Sequence, residues 1–247
     1  MKHQKLTLIL SALTLASLAP AALAETVSGI SDSSQINVGP LTRVIRVHKG
    51  NLGDPGIGKN SFSGGTRVSF LGLQSFAQNR IGGSYDRYGV TRIPNSGTDH
   101  GTGAFNFQQV AGHNAYYGEW SATGRPTDAT RTVYYSGREK STSLPTGAVV
   151  NYQVKGINRY NGGNLLTGNL RGDFRRNTLT GSLKNSSFTL GINARIVPAN
   201  ATFNGTATAA GLRGNTHGHF FGNRATGVAG IATFNNRTYN TAFGGKR

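Results

Sequence analysis

Residues 187–196 read Ser-Phe-Thr-Leu-Gly-Ile-Asn-Ala-Arg-Ile, and every second residue from Phe188 to Ile196 is apolar. This period of two is typical of a strand with one buried face, because successive side chains of a strand point to opposite sides of the sheet. The same alternation recurs at Val150, Tyr152 and Val154. The sequence therefore predicts half-buried strands in this part of the chain.

These segments belong to a series of eight strand-like stretches, separated by turns rich in Gly, Asn, Ser and Pro. Eight short antiparallel strands predict a small closed barrel, which has no free edge strand and is filled by its own side chains. The predicted strands are residues 148–156, 165–174, 178–183, 187–196, 201–207, 217–221, 227–234 and 239–243.

The preceding part of the chain is less regular. Its loops at residues 49–65 and 93–101 are long, and long ordered loops are more often functional than structural. We therefore predict an all-β chain with an irregular ligand-binding β clamp at residues 25–140 and an eight-stranded antiparallel barrel at 141–247, and we expect the two long loops to open for ligand exchange. The clamp strands are predicted at residues 41–48, 66–73, 103–111, 115–121 and 131–136.

Composition excludes several classes of protein. The 247 residues include 36 Gly, which disfavours a helical protein, and no Cys, which excludes disulfides, thiolate metal sites, cysteine nucleophiles and a lipoprotein anchor. The 26 Lys and Arg outnumber the 9 Asp and Glu, but they are spread along the chain, so we expect attraction to anionic surfaces or partners rather than specific nucleic-acid binding. No catalytic motif is present, and we expect a protein that is not an enzyme.

The N-terminus has the pattern of a secretory signal peptide. Lys2 and Lys5 precede an apolar run, and Ala22-Leu23-Ala24 fits the small-residue cleavage site. We predict a signal peptide at residues 1–24 and a secreted mature chain. No later segment is apolar for long enough to form a membrane-spanning helix.

Histidines are the candidate ligand residues, because a chain without Cys that binds haem or a transition metal depends on imidazole. His48, His100 and His113 all lie in the irregular half. His217 and His219 would share one face of a barrel strand, but no third ligand is near them, and we do not expect a metal there. Aromatic residues that could stack on a flat ligand or form ordinary core are Phe62, Phe70, Phe76, Tyr85, Tyr88, Phe105, Phe107, Tyr116, Tyr117 and Trp120.

Two groups of motifs resemble known families. Gly218-His219-Phe220-Phe221-Gly222, followed by Gly227-Val228-Ala229-Gly230, resembles the closing strands of the transferrin-binding-protein-B-like barrel, although Asn223 replaces the usual Pro and Gly227 the usual Glu. Tyr117-Gly118-Glu119-Trp120-Ser121, Val133-Tyr134-Tyr135-Ser136-Gly137 and the stretch Tyr152–Tyr160 resemble the haemophilins, secreted haem-binding proteins of Gram-negative bacteria.

This resemblance implies a haemophore, a secreted carrier that binds ferric haem b and delivers it to a TonB-dependent outer-membrane receptor for iron acquisition. It also implies a Slam-type translocon as a partner, and host haem proteins are a further candidate. One or two of His48, His100 and His113 would ligate the iron, with a pair favoured because two imidazoles leave no open site for oxygen chemistry. The alternatives are a module of the same scaffold that binds host transferrin or complement, and a carbohydrate- or surface-binding adhesin.

Overall fold

A computed structural model of the chain describes residues 25–46, 48–79, 82–95 and 101–247, so the predicted signal peptide lies outside the described residues. None of the helices within these ranges is long and apolar enough to cross a membrane. The elements of the first half are β1 (Val27–Ile30), β2 (Ile36–Pro40), β3 (Pro55–Lys59), β4 (Val68–Ser69), α1 (Phe70–Gln78), β5 (Ser84–Tyr85), β6 (Thr91–Ile93), β7 (Ala104–Gln109), β8 (Ala115–Ser121) and β9 (Thr132–Gly137). Those of the second half are β10 (Val149–Ile157), β11 (Leu166–Asp173), β12 (Thr178–Lys184), β13 (Thr189–Val197), β14 (Thr202–Ala209), β15 (Leu212–Phe221), β16 (Gly227–Thr233) and β17 (Thr241–Lys246).

Strands β10 to β17 form a closed antiparallel barrel, in which β10 completes the ring by pairing with β17. Inward-facing side chains, among them Tyr152, Leu190 and Phe203, bury one another in a single cluster. Gly218 and Gly230 lie against the ring of Phe203, where a Cβ would collide with it. The predicted barrel is confirmed and its own side chains fill it, although β15 begins at Leu212, earlier than predicted.

The first half contains two antiparallel sheets. The larger has the strand order β1-β9-β8-β7-β6-β5, and the smaller has the order β2-β3-β4. Phe70 of α1 is fully buried beneath them, with its ring stacked on Tyr116 and Tyr134 at centroid distances of 5.1 and 5.6 Å. Phe107 of β7 meets the same ring edge-on. This aromatic core fixes the helix to the sheet.

Three predictions for the first half are wrong. The strand predicted at residues 66–73 is a short strand followed by helix α1, because Ser69 accepts a hydrogen bond from the Gly72 amide at 3.2 Å and caps a helix that buries Phe70, Leu73 and Ala77. Residues 41–46 and 48 contain no strand. The loop predicted at 49–65 contains β3.

The missing strand has a local cause. The Leu41 amide donates to the Asp54 carbonyl at 2.8 Å, and the Leu41 carbonyl accepts from the Gly53 amide at 2.9 Å. These bonds close the chain into a loop, and the residues that follow, including Arg43 and Val44, are exposed and have no partner strand among the described residues. Alternation alone therefore did not suffice to form a strand here.

The two halves meet along β8 and β9 of the larger sheet and β16 and β17 of the barrel. Apolar side chains from both halves, such as Tyr117, Tyr135 and Ile231, form one buried cluster at this junction. A buried ion pair lies beside it, where Arg131 contacts Glu119 at 3.2 Å and also donates to the barrel carbonyl of Asn240 at 3.0 Å. The junction therefore joins both halves by packing and by paired charge.

Candidate functional site

A cavity of about 520 Å³ lies in the first half, between the small sheet, helix α1 and the larger sheet. We call it the His48 cavity. Its wall is largely apolar, with Ile57 from β3, Leu73 and Phe76 from α1, and Ile93 and Phe105 from β6 and β7. A concave apolar wall with a few polar groups is typical of a small-molecule binding site, and this volume lies within the usual range.

His48 lines this cavity. Its backbone amide donates to the Ile45 carbonyl at 2.9 Å, which places the ring edge-on to Phe76 with a centroid distance of 4.9 Å. Nδ1 is buried and has no hydrogen-bond partner among the described residues. Burial lowers the pKa of His48, so the ring is neutral at physiological pH. A neutral imidazole with an unpartnered nitrogen is suited to bind a metal ion.

Lys59 is the only Lys or Arg among the described residues that line the cavity. Its Nζ donates to the Gly101 carbonyl at 2.7 Å, so the ammonium group is held at the wall with further donors free. Phe62 also lines the cavity and remains 39% exposed. The cavity thus combines an apolar interior with one cation for an acidic group of a ligand.

The aromatic residues of the first half divide between this cavity and the core. Phe62, Phe76 and Phe105 line the cavity. Others are buried away from it, among them Phe70, Phe107, Tyr116 and Trp120 in the first-half core and Tyr117 in the junction cluster. Tyr85 is exposed on the edge strand β5, and Tyr88 packs on the junction.

His113 lies elsewhere. Its ring packs against Gly222 and Gly227 of the barrel, and a Cβ added to Gly227 would lie 2.7 Å from the ring. Burial lowers the pKa of His113, with a smaller opposing effect from Glu139. His113 is not among the described residues that line the His48 cavity, so the structure does not bring these two histidines together.

His100 lies outside the described residues. The residue after it, Gly101, provides the carbonyl that holds Lys59, and Thr102 lines the cavity. The two residues that follow His100, Gly101 and Thr102, therefore lie at the cavity wall.

His217 and His219 lie on the outer face of β15. The Tyr135 hydroxyl is 2.8 Å from Nδ1 of His219. Burial, and to a lesser extent the nearby Lys140, lowers the pKa of His219 to about 4. Among the described residues, no cluster of three or more His, Cys, Asp or Glu side chains could hold a metal ion. His219 serves as a half-buried hydrogen-bond partner of the larger sheet.

Sequence reasoning missed the helix and Lys59. Leu73 lies in the strand predicted at residues 66–73, and Phe76 is named only among the candidate aromatic residues. The spacing of Phe70, Leu73 and Ala77 nevertheless has the helical period. Lys59 lay inside a predicted loop and had no signal of its own, since only the fold brings it to the same wall as His48.

Two family models match the chain. The model described as "HphA N-terminal heme-binding domain" matches residues 19–132, and that described as "HphA C-terminal domain" matches residues 142–247. The first match contains every described residue of the His48 cavity.

Solved structures with a similar fold include the apo form of the haemoglobin receptor HpuA from Kingella denitrificans. It has a TM-score of 0.60 and 16% sequence identity, over 93% of this chain and 88% of that one. HpuA from the same organism in complex with human haemoglobin has a TM-score of 0.58 and 17% identity, over 93% and 89% of the two chains. A transferrin binding protein B mutant from Actinobacillus pleuropneumoniae H49 has a TM-score of 0.46 and 15% identity, over 90% and 99%. For the two HpuA structures, the likeness at these identities shows the fold alone.

Proposed function

Since the chain belongs to the HphA family, whose N-terminal domain is a haem-binding domain, we propose that it is a secreted haemophore that captures ferric haem b in the His48 cavity and releases it to an outer-membrane receptor. A haem-binding role follows from the family. We propose in addition that the His48 cavity is the binding site, that ferric haem b is the ligand, and that the haem is released to a receptor.

The orphaned Nδ1 of His48 is the observation that carries the proposal. A buried polar atom without a partner costs about 1–3 kcal/mol, and of the six such side-chain atoms among the described residues only this one belongs to a residue that lines the cavity. Here the atom belongs to a neutral imidazole at the wall of an apolar cavity, which is the chemistry that haem iron requires. The residues present therefore fit haem as cargo.

The remaining residues of the cavity have complementary roles. Phe76 and Phe105 supply flat apolar contacts for the macrocycle and exclude water from the iron. Lys59 supplies an ammonium group for a haem propionate, in addition to its bond with the Gly101 carbonyl. Phe62, at the exposed rim, would cover the outer edge of the macrocycle.

A second axial ligand would come from His100 or His113. We favour His100, because Gly101 directly follows it in the chain and contacts Lys59 of the cavity. His113 could reach the iron only by leaving its contact with Gly222 and Gly227 of the barrel. Two imidazole ligands would saturate the iron, as suits a carrier that must not catalyse oxygen chemistry.

Secretion and delivery complete the proposal. The signal peptide at residues 1–24 would direct export, a Slam-type translocon would carry the chain across the outer membrane, and a TonB-dependent receptor would take the haem. The division into residues 25–140 and 141–247 would then separate haem binding from translocon recognition. Host haem proteins would be the source of the ligand.

The test is an absorption titration of the protein with ferric haem. We expect a sharp Soret band that saturates at one equivalent, with the visible bands of low-spin iron. The His48→Ala variant should lose this spectrum and regain the low-spin bands when free imidazole is added. His217→Ala is the matched control, because His217 is exposed on the outer face of the barrel.

His48 would be excluded as a ligand if His48→Ala kept the spectrum and affinity of the unaltered protein. His100→Ala and His113→Ala then identify the ligand. Delivery is tested separately, by the rate at which the Soret band of loaded protein decays when membranes containing the receptor are added.

A host-protein-binding module is the second candidate. Val44, Leu52 and Leu71 are large apolar side chains of the first half that are 49%, 55% and 44% exposed. Apolar groups on a surface favour protein docking where they form a patch. A pull-down from serum by haem-free protein, abolished by Leu71→Ser but not by His48→Ala, would support this second function.

A further inference from the structure

A second cavity, of about 630 Å³, lies between the barrel and the larger sheet. We call it the lysine cleft. Its floor is the outer face of β10, β11, β12 and β17, and its wall is the end of β7 with Val110 and Ala111. It shares no lining residue with the His48 cavity among those described.

Three lysines line this cleft: Lys155, Lys184 and Lys246. Strand register brings them together, because Thr167 of β11 is opposite both Lys155 of β10 and Lys184 of β12. Lys246 of β17 is opposite Gln153, which lies on the same face of β10 as Lys155. Neighbouring strands are about 4.8 Å apart and residues two apart along a strand about 7 Å, so the Cα of Lys155 lies about 8 Å from that of Lys246 and about 10 Å from that of Lys184, with Lys155 between the other two lysines.

No Asp or Glu lies among the described residues of the cleft. Seven of the eight described carboxylates are engaged elsewhere: Glu25 with Lys140, Asp32 with Arg237, Asp54 with Arg138, Asp86 with Tyr160, Glu119 with Arg131, Asp128 with Thr123, and Asp173 with Arg171 and Arg176. The eighth, Glu139, forms no ion pair with a described residue and, like Lys246, acts on the pKa of His113. Lys155 reaches the Tyr88 carbonyl at 3.4 Å, and Lys184 and Lys246 form no ion pair with a described residue. The three ammonium groups thus leave a positive charge that an anion can neutralise.

The other groups of the cleft indicate what kind of anion fits. Gln153, Asn169 and Thr167 are exposed on the floor and offer amide and hydroxyl groups beside the lysines. Ala111 is exposed and adds an apolar group at the wall, where Val110 and Tyr117 are buried. Amides, hydroxyls and an apolar group suit a sugar ring, which has both hydroxyls and an apolar face, while lysines suit a phosphate group.

We propose that the lysine cleft binds a phosphorylated saccharide, with Lys155 at the phosphate, Lys184 and Lys246 on either side of it, and Gln153 and Asn169 bonding the sugar hydroxyls. This site is separate from the haem pocket and does not rest on it. The ligand is either a free sugar phosphate or the phosphosaccharide headgroup of a glycolipid.

Two probes distinguish these sources. N-acetylglucosamine 1-phosphate is titrated calorimetrically into the full protein, with N-acetylglucosamine as the uncharged control. Phosphatidylcholine vesicles containing lipid A are compared with phosphatidylcholine vesicles alone by co-sedimentation. The test variant replaces the three lysines by glutamine. The matched control is Arg175→Gln, Arg195→Gln and Arg213→Gln, which removes three exposed cations from other parts of the barrel.

We expect the phosphosugar or the lipid A vesicles to bind, and the lysine variant to bind about tenfold or more weakly, since three partly exposed ion pairs are lost together. The arginine control should bind within about twofold of the unaltered protein. Binding to the free sugar phosphate identifies a soluble ligand, and binding to vesicles alone identifies a glycolipid.

Three outcomes would overturn the proposal. One is that neither probe binds. Another is that both triple variants lose affinity equally, which would mean a diffuse attraction of the basic surface. The third is that N-acetylglucosamine binds as well as its phosphate. Haem titration of the lysine variant should be unchanged, and a loss of haem binding would show that the two sites are not separate.

Discussion

The barrel and the first half differ in how closely their interiors are packed. In the barrel, Phe203 contacts both Phe220 and Phe243, with ring centroids 5.7 and 6.1 Å apart, and Gly218 and Gly230 make room for it. In the first half, the space between β3, α1 and β7 stays open and ends at His48. The barrel thus gains packing on every side of its inward residues, whereas the first half gives up some packing to keep a ligand cavity.

Stability and ligand binding depend on different regions of the molecule. Close-packed side chains resist change of volume, so the barrel should be sensitive to truncation but irrelevant to haem. Residues at the His48 cavity already border empty space. Their truncation should therefore lower the free energy of unfolding less than truncation in the barrel does, and should weaken haem binding more. The buried ion pair of Arg131 and Glu119 links the two regions and should matter to both.

The largest effect is expected from Arg131→Leu. Glu119 would stay buried without its cation, and breaking such a pair costs about 3–5 kcal/mol. Urea denaturation should show this loss in the free energy of unfolding. Arg125→Leu, at an exposed position, should change it by no more than about 0.5 kcal/mol. Equal stability of the two variants would mean that the ion pair does not couple the halves.

Leu190→Ala tests the barrel alone. Leu190 is fully buried, and its truncation should lower the free energy of unfolding by about 2–5 kcal/mol. The haem titration of the folded variant should match that of the unaltered protein. Altered haem affinity would show that the barrel core supports the His48 cavity, and that the two regions are not independent.

Leu73→Ala is the matching change in the first half. Leu73 is 8% exposed and lines the His48 cavity, so one side of its side chain already lacks close neighbours. We expect a loss of about 1–2 kcal/mol in the free energy of unfolding, below that of Leu190→Ala, together with faster haem dissociation. A larger loss than in the barrel would contradict an open cavity at this position.

The smallest effect concerns Asp32, which pairs with Arg237 of the barrel. Hydrogen bonds from the Ser34 amide and from Arg237 lower the pKa of Asp32 from 3.8 to about 2. The carboxylate therefore stabilises the fold above pH 3.8, and this contribution is lost as the pH falls towards 2. Asp32→Asn should lower stability at pH 7 by less than about 1 kcal/mol, because the pair is partly exposed.

Thermal unfolding of Asp32→Asn and of the unaltered protein across this pH range checks the prediction. The difference between the two proteins should shrink as the pH falls from 4 to 2. A difference that persists unchanged at the lowest pH would mean that Asp32 acts through packing rather than charge.

The barrel could be predicted because its strands are buried on one face only. The alternation of apolar and polar residues at Phe188–Ile196 and at Val150–Val154 indicates one buried face, and turn residues mark the ends of the strands. The first half resisted prediction because α1 directly follows the strand Val68–Ser69, so that the helical spacing of Phe70, Leu73 and Ala77 extends over only nine residues. Leu41–Arg46 alternates partly, yet hydrogen bonds of Leu41 with Gly53 and Asp54 turn the chain away from any sheet.

The candidate site divides in a similar way. The sequence could narrow the candidate ligands to His48, His100 and His113 because imidazole is scarce and chemically distinctive in a chain without Cys. It could not separate His48 from His113, since only the fold packs His113 on Gly222 and Gly227. The position of Lys59 at the cavity and the grouping of the lysines in the cleft result from contacts between residues that are distant in the chain. No local sequence pattern therefore predicts them.

The closure of the barrel has a consequence for how the chain folds. Because β10 pairs with β17, the first strand of the barrel has no partner on one side until the last strand has been synthesised. Non-local pairing of this kind is slow, since the entropy of a long loop must be overcome before the contacts form. The newly made chain therefore remains incompletely folded after β10 emerges, and this interval is when a chaperone or a translocase can bind it.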